Sequence, residues 1–258
     1  MHDSPLSLLW LCAAAFLGGA INAVAGGGTL LTFPALLAIL NPVAANATST
    51  LALFPGSLAG AWGYRRELAE VQPMLARLWL PSLIGGVIGS LAVTRFPERV
   101  FESLVPWLLL AASTLMLLQK PIMRWIGAHP HAEPAASTAA AVVFFQLLVG
   151  IYGGYFGAGI GILMLSSLGF MGIPDIHRMN GVKAVLAAAM NGISLVIFVF
   201  ERRVDWRFAL PMALASIAGG YLAARVARKL PTQYVRTMVI CIGFAVAAYS
   251  FHRRFFAS

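Results

Sequence analysis

The sequence predicts an all-α polytopic membrane protein, made of two inverted repeats of about five segments each. Three observations carry that prediction. Of the 258 residues, 60% are hydrophobic and only 10% charged, whereas an ordinary soluble domain carries about 25% charged residues. Apolar runs recur along the whole chain, and at roughly 20 residues per span plus short turns it holds about eight full spans. A glycine-rich motif ahead of an apolar run occurs twice, 132 residues apart. The same composition argues against a soluble enzyme and against disorder. A secreted disulfide scaffold is also excluded, because the only cysteines, Cys12 and Cys241, lie inside apolar runs.

In chain order, the first run is Leu6 to Ala25. Met1 to Pro5 carries Asp3 and no Lys or Arg, so the run reads as a membrane helix capped by Asp3 or Ser4 rather than as a cleaved signal, despite Ala23-Val24-Ala25 at its end. Leu30 to Leu40 follows, then Ala44 to Tyr64, whose start is marked by Asn41 with Pro42 at the first helical position. Leu75 to Thr94 and Phe101 to Leu118 complete the first five. The second five are Ala139 to Phe156, Ile162 to Gly172, Ile176 to Phe200, Phe208 to Val226 and Tyr234 to Phe251. Two runs stand apart: Leu30 to Leu40 and Ile162 to Gly172 have 11 residues each. As helices they would rise about 16 Å, half of a hydrocarbon core of about 30 Å.

Both short runs follow the repeated motif. Ala25-Gly26-Gly27-Gly28-Thr29-Leu30 aligns with Gly157-Ala158-Gly159-Ile160-Gly161-Ile162, and the same offset pairs Pro42 with Pro174. An offset of 134 pairs Gly85-Gly86 with Gly219-Gly220. The organisation that follows is a first membrane repeat at 1–118, a Pro- and His-containing linker at 119–138, and a second repeat at 139–258. If each repeat begins with a broken or re-entrant helix pair that enters and leaves on one side, three crossings remain, and the second repeat starts on the opposite face. Both termini would then be extracytoplasmic. This preference rests on segment lengths, because the 18 Lys and Arg divide 11 to 7 between the faces in the inverted arrangement and 10 to 8 in the parallel one, too small a difference to decide.

The formal charge of +9 comes from 18 Lys and Arg against 9 Asp and Glu. The cations cluster at segment ends, as in Arg65-Arg66 and Arg228-Lys229, which suits lipid headgroups rather than nucleic acid. No acid or His sits at membrane depth, so no catalytic residue, metal site or cofactor site is expected; His129 and His131 read as a solvated linker pair. Cys12 and Cys241 read as packing residues, and Gly85-x-x-x-Gly89 and Gly219-Gly220 as close helix crossings.

The two aligned glycine clusters read differently. A helix broken inside the membrane exposes backbone groups that cost several kcal/mol unless they line a polar cavity. The helix that restarts after the break offers free N–H groups and the positive end of its dipole to an anion. Close packing through small residues is the competing reading. The candidate substrate-binding set is Asn22, Gly26, Gly27, Gly28, Thr29, Asn46, Ser49, Thr50, Gly157, Gly159, Gly161, Lys183 and Asn191. Ser166, Ser167 and Asn180 are further polar residues of the second half. Lys183 is the cation deepest in an apolar run, where it contacts solute or snorkels to the interface. Asp175 and His177 are the nearest residues able to relay a proton.

These same residues resemble the sulfite exporter TauE/SafE family, an anion permease family with a duplicated membrane domain. The likeness is carried by Gly18-Gly19-Ala20-Ile21-Asn22-Ala23-Val24-Ala25-Gly26-Gly27-Gly28-Thr29-Leu30-Leu31-Thr32-Phe33-Pro34-Ala35-Leu36, by Ala45-Asn46-Ala47-Thr48-Ser49-Thr50, by Gly157 to Gly161 and by Val204-Asp205-Trp206. It implies a secondary transporter of sulfite, sulfoacetate or other organosulfonates, exporting them across a bacterial cytoplasmic (inner) membrane with coupling to the proton gradient. An uptake permease or a channel for another small anion stays open as the alternative. Expected partners are the small anion and the bilayer, with no nucleic acid; monomer and homodimer are both open. The second half departs from the first, with Ile160 in the place of Gly28 and Ser166 in that of Pro34.

Overall fold

The computed structural model describes residues 5–24, 27–63, 72–128, 136–170, 176–226 and 232–255. Among these residues all regular structure is helical, in ten helices: α1 (Pro5–Val24), α2 (Thr29–Leu37), α3 (Pro42–Gly63), α4 (Gln72–Arg95), α5 (Glu98–Ala128), α6 (Ala136–Tyr155), α7 (Ile160–Phe170), α8 (Ile176–Phe200), α9 (Trp206–Val226) and α10 (Thr232–Phe255). Each expected apolar run contains a helix, although α2 stops at Leu37, short of the expected Leu40, and Ala25, Tyr64, Met171 and Gly172 lie outside the described residues. The expected linker from 119 is helical as far as Ala128, with Pro121 inside the last turns of α5. Among the described residues four helices have stretches long and apolar enough to cross a membrane by length and composition: Pro5–Asn22, Met74–Arg95, Glu98–Leu118 and Arg178–Phe200. Ala140–Tyr155 and Thr237–His252 are shorter apolar stretches. The expected caps Asp3 and Ser4 and the pair His129 and His131 lie outside the described residues.

The start of α3 shows why the chain turns where it does. Asn41 Oδ1 accepts the Ala44 N–H at 2.8 Å and Asn41 O accepts the Ala45 N–H at 2.9 Å. Pro42 fills the first helical position, where its missing N–H costs nothing. Before it, α2 closes with Ile39 and Leu40 both returning their N–H groups to Leu36 O.

Named contacts fix how the helices run. Along α1 and α3, a Cβ at Gly18 would stand 3.4 Å from Leu53 Cδ2 and Asn22 Nδ2 donates to Ser57 Oγ at 3.3 Å, so the two run in the same direction. Helix α2 runs back against them, its Thr32 Oγ1 lying 2.6 Å from Ser49 Oγ. Helices α3 and α9 run together, from the Asp205 N–H donating to Thr48 Oγ1 at 3.0 Å to Gly56 beside Ser216. Helices α4 and α6 also run together, from Gln146 Nε2 donating to Ser82 Oγ at 2.9 Å to Gly89 against Tyr155. So do α4 and α8, from Gly86 against Ile193 to Arg203 Nη2 donating to Thr94 O at 3.1 Å. Helices α5 and α10 oppose each other, with Trp107 stacked edge-on to Phe251 at 4.9 Å and Ser113 against Gly243.

Packing partners come in matched sets. Helix α1 packs on α9 as α6 packs on α4, α3 on α9 as α8 on α4, and α2 on α10 as α7 on α5, while α3 meets α8 and α5 meets α10. In lipid no hydrophobic force drives helix on helix, so van der Waals contact and small residues must do it. The glycines supply that contact. Gly85 and Gly89 lie on the backbone of α6 at Gly150 to Tyr155, and Gly219 lies on the backbone of α1 at Phe16. The core between them holds Phe33, Phe101, Phe156 and Phe198, all nearly inaccessible. A second apolar cluster gathers Leu78, Met164, Leu168, Leu186 and Met190.

Candidate functional site

Two interrupted helices meet at the centre. Between α1 and α2, Gly27 sits at φ +96°, and between α6 and α7, Gly157 and Gly159 sit at +79° and +77°. L-residues with a Cβ are strained in this left-handed region, so glycine is what permits the breaks. Tyr152 steadies the second break, its hydroxyl donating to Ala158 O at 2.8 Å. In the restarted α7 the Ile162 N–H returns to Gly159 O at 3.0 Å. The preceding first-turn N–H groups have no intrahelical acceptor, as at every helix start.

The starts of both restarted helices open on one cavity of about 100 Å³. Its wall brings together Asn22 of α1, Gly27 and Thr29 at the first break, and Gly157, Gly159 and Gly161 at the second, with Thr50 of α3 and Lys183 and Asn191 of α8. Lys183 lies with its stem on Gly161, where a Cβ would stand 3.2 Å from Lys183 Cδ. Its Nζ donates to Asn180 Oδ1 at 2.8 Å. Among the described residues no carboxylate pairs with it. One ammonium and two helix N-termini, each equivalent to about half a positive charge, therefore give the cavity a positive interior.

The remaining predicted residues face elsewhere. Gly28 is packed on the backbone of Gly18, which brings α1 and α2 together. Ser49 is held by Thr32, whose hydroxyl also lies 3.3 Å from Gly28 O. Asn46 is buried and donates from Nδ2 to Tyr155 O at 3.0 Å, closing the end of α6. The reason is angular: successive helix residues point about 100° apart, so Thr48, Ser49 and Thr50 reach three different neighbours. Thr48 takes the Asp205 N–H, and only Thr50 reaches the cavity, its hydroxyl already donating to Asn46 O at 2.9 Å. It offers lone pairs rather than a proton. Gly26, Asp175 and the side chain of His177 lie outside the described residues.

The cavity wall also includes Ser57 and Phe156, which sequence reasoning did not single out, and Asn180, which it placed outside the binding set. Helical spacing would have pointed to the polar ones. Ser57 falls seven residues after Thr50, and Asn180 three before Lys183, on the same stripes. Phe156 carries no polar signal; it is buried in the break with its ring 5.0 Å from that of Phe33.

A family model described as "Sulfite exporter TauE/SafE" matches residues 11–250. Over 255 residues the chain is 30% identical to a "Probable membrane transporter protein ORF9" of Sinorhizobium sp, covering 96% of this chain and 94% of that one. It is 25% identical to a "Probable membrane transporter protein" of Haemophilus influenzae, covering 92% of each. It is also 25% identical to the "Probable membrane transporter protein YfcA" of Escherichia coli, covering 95% of this chain and 90% of that one. No solved structure matches the chain.

Proposed function

We infer, from the premise that the chain belongs to the sulfite exporter TauE/SafE family, that it is a secondary membrane transporter of small sulfur-containing oxyanions. The observation that carries this reading is the cavity in which two broken-helix N-termini converge on Lys183. An anion there would be held by backbone N–H groups at the starts of α2 and α7, by the amides of Asn22, Asn180 and Asn191, and by the ammonium of Lys183. The size of the site narrows the solute. Drug-sized ligands need about 300 Å³ or more, whereas 100 Å³ holds a few water-sized groups, which favours sulfite over sulfoacetate and longer organosulfonates.

The helix directions support an inverted duplication. Helix α1 runs with α3 and α9, while α6 runs with α4 and α8. Only Glu201 to Asp205 separate α8 from α9, a connection that returns the chain, so α1 and α6 start from opposite faces. In this reading the short α2 and α7 turn the chain back after α1 and α6, the eight longer helices span, and one half rocks against the other about the cavity. The described cavity wall has no carboxylate, so a proton crosses most simply on the solute, as bisulfite. The membrane would be the bacterial inner one and the physiological direction export.

The test is counterflow in proteoliposomes. A carrier gives saturable uptake of labelled sulfite that is accelerated by sulfite loaded inside. Conductance that does not saturate, without acceleration from the trans side, would instead make the protein a channel.

A further inference from the structure

A second, larger space lies on the other side of the aromatic core. About 930 Å³ in volume, it is bounded by the end of α2 from Pro34, by Asn41 and Pro42 at the start of α3, by Glu98 and Glu102 at the start of α5, and by Tyr249 and Ser250 near the end of α10. Glu102 is exposed and Glu98 Oε1 is buried without a protein partner; because acids facing hydrocarbon are costly, this pair favours an aqueous vestibule over a lipid groove. Along α3 the vestibule is lined at Pro42 and the anion cavity from Thr50 to Ser57. Eight residues, a rise of about 12 Å, separate them.

Three rings fill that interval. Phe33 lies on α2 between Thr29, which lines the cavity, and Pro34, which lines the vestibule. Phe101 lies on α5 between the vestibule residues Glu98 and Glu102. Phe156 is itself part of the cavity wall. Their centroids are 5.0 Å apart for Phe33 and Phe156 and 6.4 Å for Phe101 with each of the others. None is more than 2% exposed. Phe33 meets both other rings edge-on and Phe101 is tilted on Phe156, and rings this inaccessible admit no water between them. Phe33 and Phe101 belong to the first half and Phe156 to the second, so rocking of one half against the other would part the rings.

We propose that Phe33, Phe101 and Phe156 are the closed gate between the anion cavity and a second aqueous mouth, the vestibule lined by Glu98 and Glu102. This rests on the transporter reading for its purpose, but its test does not need flux. In a background with Cys12→Ala and Cys241→Ala, Thr50→Cys reports on the cavity and Ser250→Cys on the vestibule. A membrane-impermeant maleimide is applied from either side of proteoliposomes of defined orientation. With the gate intact, Ser250→Cys reacts from the vestibule side and Thr50→Cys at least tenfold faster from the opposite side. Phe33→Ala with Phe101→Ala raises labelling of Thr50→Cys from the vestibule side at least tenfold, while Phe101→Leu, which keeps an apolar plug, does not. Equal labelling of Thr50→Cys from both sides in the intact background overturns the gate even if the double alanine variant fails to fold. Unchanged vestibule-side labelling in a folded double variant overturns it too. Sided labelling without sulfite counterflow would instead remove the transport reading and leave the gate standing.

Discussion

Replacing Gly28 with Ala tests the crossing that seats the first broken helix. A Cβ there would fall well inside van der Waals contact of the Gly18 carbonyl oxygen and 2.9 Å from its carbonyl carbon, where ordinary contact begins at 3.4 Å. Backbone is not a flexible side chain that can swing aside, so α1 and α2 must part by about 0.5 Å at the carbon and by more at the oxygen. Overpacking of this kind costs about 1–3 kcal/mol, and the gain in helix propensity from Gly to Ala, up to about 1 kcal/mol, offsets little of it at the first turn. At about 2–4 °C per kcal/mol for a chain of this size, Gly28→Ala should melt about 2–12 °C below the parent in detergent. The control is Gly153→Ala, whose Cβ would meet Ile160 Cγ2 at 3.4 Å and Met190 beyond it, ordinary contacts; its melting temperature should stay level or rise. Equal melting of Gly28→Ala and the parent would show that α1 and α2 do not cross as described.

Three other substitutions separate stability from binding. Asn46→Ala leaves Tyr155 O without its buried donor, which should cost about 1–3 kcal/mol in thermal melting while the stabilisation by sulfite is retained. Gly159→Ala meets only Ala112 at 3.6 Å, so its cost of about 1–2 kcal/mol comes from the left-handed backbone; because it bends the cavity wall, it should also lower sulfite affinity in a titration of melting temperature. Ser82→Ala deprives buried Gln146 of its acceptor at 2.9 Å, and chemical denaturation should show a loss of about 1–2 kcal/mol with no change in sulfite binding.

Much of the architecture is legible in the residues, and where legibility stops has physical causes. Helix positions follow from apolar runs because lipid demands complete backbone hydrogen bonding, and the breaks at Gly27 and Gly157 follow because no other residue takes their backbone angles cheaply. Helix directions were beyond the charge distribution, which differs too little between the inverted and parallel arrangements; they emerge from contacts such as Gln146 with Ser82 that join residues 64 apart. In the candidate site, Lys183 stands out because a lone cation in an apolar run is costly. The polar run from Asn46 to Thr50 could not be divided from composition, since a turn of helix sends each hydroxyl to a different neighbour. Phe156 was invisible because an aromatic residue beside a glycine break reads as core. The helical reach of α5 to Ala128 was hidden by Pro121, which lies inside the helix although proline there forfeits a backbone hydrogen bond.

The central claim is that the converging helix starts and Lys183 bind a small oxyanion, and the most direct measurement is sulfite-dependent thermal stabilisation of the parent beside Lys183→Met. At sulfite one hundred times its dissociation constant the parent gains about 2.7 kcal/mol, a rise of about 5–10 °C. Loss of a charge-assisted contact worth about 1.5–3 kcal/mol should cut that rise to half or less in Lys183→Met, with the melting temperature without sulfite unchanged or higher. An undiminished rise in Lys183→Met would contradict the account.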